Sequence, residues 1–274
     1  MKQYAIGLLA LAMLSGVARA GVVVEEQQVT DRGAGAPAIT HKIIVMVQGN
    51  KQKSVIDDGQ QSLVTDLDAG TRTMIYSARK SYIEMPFPPK GMPAMPNQAG
   101  LTFKKTGTQQ KLAGYACDDY AGSGTINGNQ LTVDGCFSTS APGAKNFTTF
   151  QKTMSDKVKG TPMALMSAAP DGIPLKIDTT MKMTAMPQMA GRPPMVTHMT
   201  VSKVTEKDLT ADTFSAPKDY TKQQSPMMGM GRPPMAGMGH PQMGGPNMMK
   251  PVPPGKVTAP VVTSPAASST KVPE

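Results

Sequence analysis

The chain has 274 residues and a formal net charge of +9, with 24 methionines, 25 prolines, two cysteines and no tryptophan. Six of these positive charges lie at the two ends, two in residues 1–20 and four in 221–274, so residues 21–220 carry only about +3. Nucleic-acid-binding proteins usually cluster basic residues among aromatic ones. The sequence contains no such cluster, and we expect no nucleic-acid partner.

The first 20 residues have the three-part layout of a secretory signal peptide. Lys2 precedes an apolar run at 5–14, and Ala18-Arg19-Ala20 supplies a small-x-small cleavage site. The run is about half of the ~20 residues that a membrane-spanning helix needs. We therefore predict cleavage before Gly21 and a soluble protein in the bacterial periplasm, without a transmembrane anchor. A secreted eukaryotic protein would carry a similar signal.

Short alternating polar and apolar runs fill the first half of the mature chain and predict an antiparallel meander. The predicted strands cover 21–35, a hairpin at 39–56 with its turn at 48–51, and then 62–67, 72–76 and 81–85. Residues 86–96 contain five prolines, which remove backbone donors, so this segment is predicted to be a loop or lid.

The second half continues the sheet and adds one helix. Predicted strands at 101–107 and 110–120 precede a hairpin at 124–133, whose Asn127-Gly128 pair is a strong turn signal. Residues 142–158 have helical spacing, with Phe147, Phe150 and Met154 on one face. A last strand pair is predicted at 173–183 and 195–204, with an insertion at 187–194, and residues 209–220 close the domain. The fold class is mostly β (α+β).

Cys117 and Cys136 are the only cysteines. In an oxidising compartment an even pair most simply forms one disulfide. A redox or metal-binding pair is the alternative, but neither a C-x-x-C spacing nor an adjacent histidine supports it. The predicted disulfide closes a loop of roughly twenty residues and stabilises the fold by ~3 kcal/mol.

The composition changes after Tyr220, where Met, Pro and Gly dominate, and such a segment cannot bury enough surface to offset its ordering entropy. We predict that 221–274 is a disordered tail. Thioethers are soft ligands that select Cu(I), and by the same softness Ag(I). The tail resembles metal-binding tracts of periplasmic resistance proteins, and we expect no other cofactor. The candidate metal ligands are Met227, Met228, Met230, Met235, Met238, His240 and Met243. An adaptable contact surface or an oxidant scavenger would have the same composition.

No catalytic arrangement is visible in the sequence, and we expect that the protein is not an enzyme. His41, His198 and His240 stand far apart, and the first two are interpreted as ordinary strand residues. Asp57-Asp58 precede a glycine, which is turn chemistry. Asp118-Asp119 are predicted to lie on a strand with their side chains on opposite faces.

Four segments, 47–51, 64–86, 105–120 and 209–220, together resemble the DUF4412 family, which is related to the LolA-like superfamily of lipoprotein carriers. They include Lys111-Leu112-Ala113-Gly114-Tyr115-Ala116-Cys117-Asp118-Asp119-Tyr120 and Leu209-Thr210-Ala211-Asp212-Thr213-Phe214. The resemblance implies a LolA-like half-barrel: a curved antiparallel sheet whose concave side is covered by a helix and loops. In the carriers, this cavity holds acyl chains.

The leading hypothesis is a binding protein for an apolar ligand, either a lipid or an acylated protein, in the concave face. The tentative ligand-binding residues are Met181 and Met183 on the last hairpin, with Met85, Phe87, Met92 and Met95 in the lid. Cu(I) or Ag(I) binding by the tail is the first alternative. The second is an envelope interaction or stress-sensing protein that uses the tail as a contact arm.

Overall fold

The computed structural model describes residues 20–33, 35–89, 99–126, 128–158, 169–184, 191 and 193–224. Within these residues it contains twelve β-strands and one α-helix. The elements are β1 (Gly21–Asp31), β2 (Ile39–Gln48), β3 (Lys51–Ile56), β4 (Gln61–Asp66), β5 (Thr71–Tyr76), β6 (Ser81–Pro86), β7 (Ala99–Leu112), β8 (Tyr115–Ile126), β9 (Asn129–Ser138), α1 (Ala144–Val158), β10 (Ile173–Lys182), β11 (Met195–Lys207) and β12 (Thr221–Gln223).

All twelve strands belong to one sheet, in the order β12-β6-β5-β4-β3-β2-β1-β11-β10-β9-β8-β7. Two meanders, β1 to β6 and β7 to β11, meet where β1 pairs with β11 in antiparallel register. Every pairing is antiparallel except that of β12, which runs parallel to β6. The sheet and its single helix confirm the predicted mostly β fold.

The turn between β7 and β8 differs from the prediction. We predicted one strand over 110–120, but a two-residue turn at Ala113-Gly114 divides it, with Leu112 and Tyr115 in register. Ala113 and Gly114 have φ of 48° and 88°. Two left-handed residues in succession make the type of turn that matches strand twist. Alanine rarely adopts that conformation, so its presence at the first position concealed the turn in the sequence.

The helix α1 lies where it was predicted and packs on the middle of the sheet. Phe150 and Phe147 are buried in the main core together with Val22, Val47 and Leu175. Gly143, just before the helix, has φ of +71°, and a Cβ there would lie 2.5 Å from Val22 Cβ. A glycine at this position therefore allows the chain to turn into α1 in close contact with β1.

The C-terminal part of the described chain is held against β6. A 3-10 turn at Ala211–Phe214 precedes β12, and Thr221 N–H donates to the Lys80 carbonyl at 2.9 Å. The Lys222 ammonium lies 2.7 Å from a Glu84 carboxylate oxygen. Residues 221–223, which we had assigned to the tail, therefore complete the sheet, while 225–274 lie outside the described residues.

The predicted disulfide is present and joins β8 to β9. The sulfur atoms of Cys117 and Cys136 are 2.03 Å apart, and both residues are buried in the main core. Among the described residues, no helix is long and apolar enough to span a membrane. Residues 1–19 of the predicted signal segment, 1–20, lie outside the described residues.

Candidate functional site

Strand register shows which side chains share the face that α1 covers. Val22 and Val24 of β1 lie opposite Val47 and Val45 of β2, and all four pack in the main core with α1. Directly opposed residues on neighbouring strands point to the same side of a sheet. Following the register from strand to strand therefore defines the helix-facing side along the whole sheet.

An apolar cavity of about 240 Å³ lies on this side, between α1 and strands β7 to β10. We call it the α1 cavity. The strands contribute mainly aliphatic and aromatic side chains, and α1 contributes one wall. The lining comprises Leu101, Phe103, Leu131, Val133, Phe137, Phe147, Gln151, Met154, Ala169, Pro170, Gly172, Pro174, Ile177 and Thr179.

Two glycines on the strands make room for the aromatic floor of the α1 cavity. A Cβ on Gly122 would lie 2.8 Å from the Phe103 ring, and one on Gly135 would lie 2.7 Å from the Phe137 ring. The two rings meet edge to face with centroids 6.0 Å apart. Small residues on β8 and β9 therefore let large side chains from β7 and β9 lie flat on the sheet.

The chemistry of the α1 cavity is that of an apolar binding site. Among the described residues of its lining, Gln151 and Thr179 supply the polar side chains, and none is charged. Ligand sites for small molecules usually measure about 300 to 1,000 Å³ and are lined mostly by apolar groups. The cavity is slightly smaller than that range, which suits one end of an alkyl chain better than a bulky ring system.

Of the four predicted ligand-binding residues that the structure describes, Met181 lies beside the α1 cavity. Met181 on β10 is partly buried and packs on the small cluster formed by Leu101, Leu131 and Val133. Met183 follows the end of β10 and is partly exposed. Neither methionine is among the described lining residues of the α1 cavity, and the aromatic floor was not predicted, so ligand binding by these methionines stays a prediction.

The two predicted lid residues that the structure describes lie in the other half of the sheet. Phe87 is only 3% exposed and belongs to the main core, with the Arg72 guanidinium carbon 4.4 Å from its ring centroid. Met85 lies on β6, opposite Arg72 on β5. Met92 and Met95 lie outside the described residues. The described members of the predicted ligand-binding set therefore lie in two different parts of the sheet.

The cavity residues that sequence reasoning missed come from strands that are distant in the chain. Phe103, Phe137 and Ile177 contribute to one cavity although more than thirty residues separate each from the next. A local signal existed in the alternation of Leu131 and Val133 along β9, but alternation marks a buried face without identifying what covers it.

A second cavity of about 270 Å³ lies on the opposite side of the sheet and is polar. Asp119 lines it and accepts hydrogen bonds from Thr108 at 2.7 Å and from the Gln110 amide at 3.0 Å. Asp118 points to the other face, where it forms an ion pair with Lys105 at 2.8 Å. The predicted opposite orientation of Asp118 and Asp119 is confirmed, and both carboxylates already have partners.

The two described histidines each contact a different aspartate and do not form a joint site. His41 Nδ1 lies 2.6 Å from Asp57, and His198 Nδ1 lies 2.7 Å from Asp178. The hydrogen bond from His41 is the main cause that lowers the pKa of the Asp57 carboxyl, followed by the one from the Lys42 backbone. No group of three potential histidine, cysteine or carboxylate metal ligands occurs in the described part of the chain.

The structure does not describe the candidate metal ligands of the tail. Met227, Met228, Met230, Met235, Met238, His240 and Met243 all lie outside the described residues. Metal binding by these residues therefore stays a prediction from the sequence.

Two charged side chains point to the helix-facing side of the sheet away from the α1 cavity. Glu26 lies on β1 opposite Ile43 and Val201, and burial raises the pKa of its carboxyl from 4.5 to about 7. Arg72 lies on β5, and burial lowers the pKa of its guanidinium. Neither has an ion-pair partner among the described residues.

A family model described as "Domain of unknown function (DUF4412)" matches residues 37–220. This match confirms the family resemblance seen in the four sequence segments. No curated protein matches the chain.

Several solved structures are similar to this chain. PNGF-II matches at 11% identity and a TM-score of 0.37 over 75% of this chain, which spans only 31% of PNGF-II. A LolA superfamily protein from Nitrosomonas europaea matches at 9% identity and a TM-score of 0.30. The match covers 72% of this chain and 90% of the Nitrosomonas europaea protein. A putative outer membrane lipoprotein-sorting protein domain from Vibrio parahaemolyticus matches at 9% identity and a TM-score of 0.31, covering 72% and 89%. With such low scores, none of them identifies a ligand for this chain.

Proposed function

The chain belongs to the DUF4412 family, and we propose that it binds an apolar ligand in the periplasm without catalysing a reaction on it. The ligand is a lipid or the acyl chain of a protein, held on the helix-facing side of the sheet. The observation that carries this proposal is the α1 cavity, whose described lining residues are mostly apolar and include no charged side chain.

An alkyl chain is the ligand that best matches this lining. Each buried methylene contributes about 0.8 kcal/mol, so five methylenes contribute about 4 kcal/mol, which corresponds to a dissociation constant near 1 mM. Useful affinity therefore requires more of the chain to be buried, beyond the α1 cavity. Affinity should accordingly rise with alkyl chain length until the available apolar surface is filled.

A binding role agrees with the chemistry of the described side chains. His41 and His198 each contact an aspartate, and the described lining of the α1 cavity includes neither a nucleophile next to a base nor a pair of carboxylates. The N-terminal signal-like segment and the disulfide both support an oxidising, exported location.

The proposal is tested by titrating the mature protein with a fluorescent fatty acid. The variant Met154→Glu places a carboxylate in the α1 cavity, whereas the control Thr149→Glu places one on an exposed position of the same helix. We expect Met154→Glu to weaken binding at least tenfold and Thr149→Glu to leave it unchanged. Equal affinities for both variants, with both proteins folded, would contradict the proposal.

Binding of Cu(I) or Ag(I) by the Met-rich tail is the second candidate function. It rests on eight methionines between 227 and 249, with His240 among them. Because β12 ends at Gln223, the appropriate deletion starts at 225 and leaves the sheet intact. Native mass spectrometry should then show metal uptake by the full-length mature chain and none by the truncated chain. Metal uptake by both proteins would exclude the tail as the site.

A further inference from the structure

Arg72 is a charged residue in an unusual position. It lies on β5 opposite Thr65 of β4 and Met85 of β6, in the row of the helix-facing side that includes Val47 and Val22. It is partly buried, and burial lowers the pKa of its guanidinium. A partly desolvated cation of this kind needs an anion or several hydrogen-bond acceptors near it.

The protein supplies few of these partners. The Arg72 Nε–H donates to Thr65 Oγ1 at 3.3 Å, and the guanidinium carbon lies 4.4 Å from the centroid of the Phe87 ring. A guanidinium carries five N–H donors. Among the described residues, the other four donate to no residue, and paired guanidinium donors match the two oxygens of a carboxylate or phosphate.

Arg72 forms no ion pair with a described carboxylate, although several lysines of the same sheet do. Seven described lysines have a carboxylate within 4.0 Å: Lys51, Lys80, Lys105, Lys152, Lys176, Lys203 and Lys222. Of all the aspartates and glutamates in the sequence, only Glu274 lies outside the described residues. Every other carboxylate is described, and none of them forms an ion pair with Arg72.

The surroundings of Arg72 combine hydrogen-bonding groups with apolar ones. Thr65 lies opposite Gln52 of β3, whose side-chain amide donates to Ser54 Oγ at 3.3 Å. These groups form a polar strip across β3, β4 and β5. Partly exposed apolar side chains flank it, with Met74 two residues along β5 and Met85 on β6.

We propose that Arg72 forms a second binding site, for the carboxylate or phosphate group of a ligand that lies on the helix-facing side of the sheet. The guanidinium supplies paired donors to two oxygens of the anion, and the Gln52 amide lies two strands away for a further contact. The site is separate from the α1 cavity, because β5 lies six positions from β10 in the sheet order. It does not depend on whether an alkyl chain occupies that cavity.

The test compares three probes by isothermal titration calorimetry with the mature protein. Dodecyl phosphate has both an anionic group and an alkyl chain, dodecyl maltoside has the chain alone, and inorganic phosphate has the anion alone. We expect dodecyl phosphate to bind at least tenfold tighter than dodecyl maltoside, since charge-assisted hydrogen bonds contribute more than neutral ones. The absence of such a preference would overturn the proposal.

Variants test whether the preference for dodecyl phosphate over dodecyl maltoside depends on Arg72. Arg72→Gln should abolish it, and Arg72→Lys should retain part of it, because a lysine keeps the charge but loses the paired donors. The matched control is Arg79→Gln, which removes the same charge from an exposed position in the turn after β5. A preference that persists in Arg72→Gln, or that is lost equally in Arg79→Gln, would contradict the proposal.

The three probes also distinguish the source of the anion and separate this proposal from the proposed function. If inorganic phosphate binds the wild type and fails to bind Arg72→Gln, the site serves a free anion. If only dodecyl phosphate behaves in this way, the site serves a lipid headgroup. If dodecyl maltoside does not bind at all while the Arg72-dependent anion binding persists, the apolar-ligand function fails and the anion site stands. Near-ultraviolet circular dichroism verifies that each variant is folded.

Discussion

The clearest quantitative prediction concerns Glu26 and the pH dependence of stability. Glu26 lies on the helix-facing side of β1, between Ile43 and Val201. No described residue forms a hydrogen bond or ion pair with its carboxylate. Burial raises the pKa of this group from 4.5 to about 7 in the folded protein. Between these two values the folded state therefore binds a proton that the unfolded state does not.

The sign and the size of the effect follow from this difference. Stability falls as pH rises wherever the folded state binds more protons than the unfolded state. One pKa unit corresponds to about 1.4 kcal/mol, so the full shift amounts to about 3 kcal/mol as an upper figure. The loss begins near pH 4.5 and is complete above the folded-state pKa of about 7.

The assay is urea-induced unfolding of the wild type and of Glu26→Gln at pH 5 and pH 8. We expect similar stabilities at pH 5, and at pH 8 a variant more stable than the wild type by about 1 to 3 kcal/mol. Glu25→Gln is the matched control, since the Glu25 carboxylate is partly exposed and lies 3.5 Å from the Lys203 ammonium. A Glu26→Gln effect that is the same at both pH values would refute the reasoning.

Three further predictions concern the core, the disulfide and Arg72. Phe150→Ala removes a fully buried side chain and should lower the free energy of unfolding by about 3 to 5 kcal/mol in urea titrations; a loss below 1 kcal/mol would contradict its place in the core. Replacing Cys117 and Cys136 together by alanine removes a disulfide between residues 19 positions apart in the sequence and should lower the free energy of unfolding by about 3 kcal/mol. An unchanged midpoint of urea unfolding would contradict this prediction. Arg72→Met replaces a partly buried cation without a carboxylate partner and should raise the melting temperature in thermal scans; a lower melting temperature would mean that the Phe87 contact outweighs the cost of burying the charge.

Much of the fold could be predicted because its signals are local. Alternating residues predicted most of the strands, the spacing of Phe147 and Phe150 predicted α1, and Cys117 with Cys136 predicted the disulfide. The failure at Ala113-Gly114 has the same origin, because the turn depends on a backbone conformation that alanine seldom adopts. Local patterns are reliable where each residue type prefers one conformation, and they fail where the tertiary structure imposes another.

The candidate site was only partly predictable. The sequence predicted an apolar face of the sheet, and the structure shows Met181 packed on residues that line the α1 cavity. The sequence could not indicate that Phe103 and Phe137 would form the cavity floor, since their contact depends on the pairing of β7, β8 and β9. Phe87, predicted to be a lid residue, is instead buried under Arg72.

The sequence alone therefore determined most of the strands, the position of the helix and the apolar face of the strands in the core. These properties depend on side-chain periodicity and turn chemistry within a few residues. Only the tertiary structure decided that β1 joins the two meanders by pairing with β11, that residues 221–223 add a strand beside β6, and that no described carboxylate pairs with Arg72. These outcomes depend on hydrogen bonds and packing between residues that are distant in the chain. A local sequence pattern does not predict such contacts.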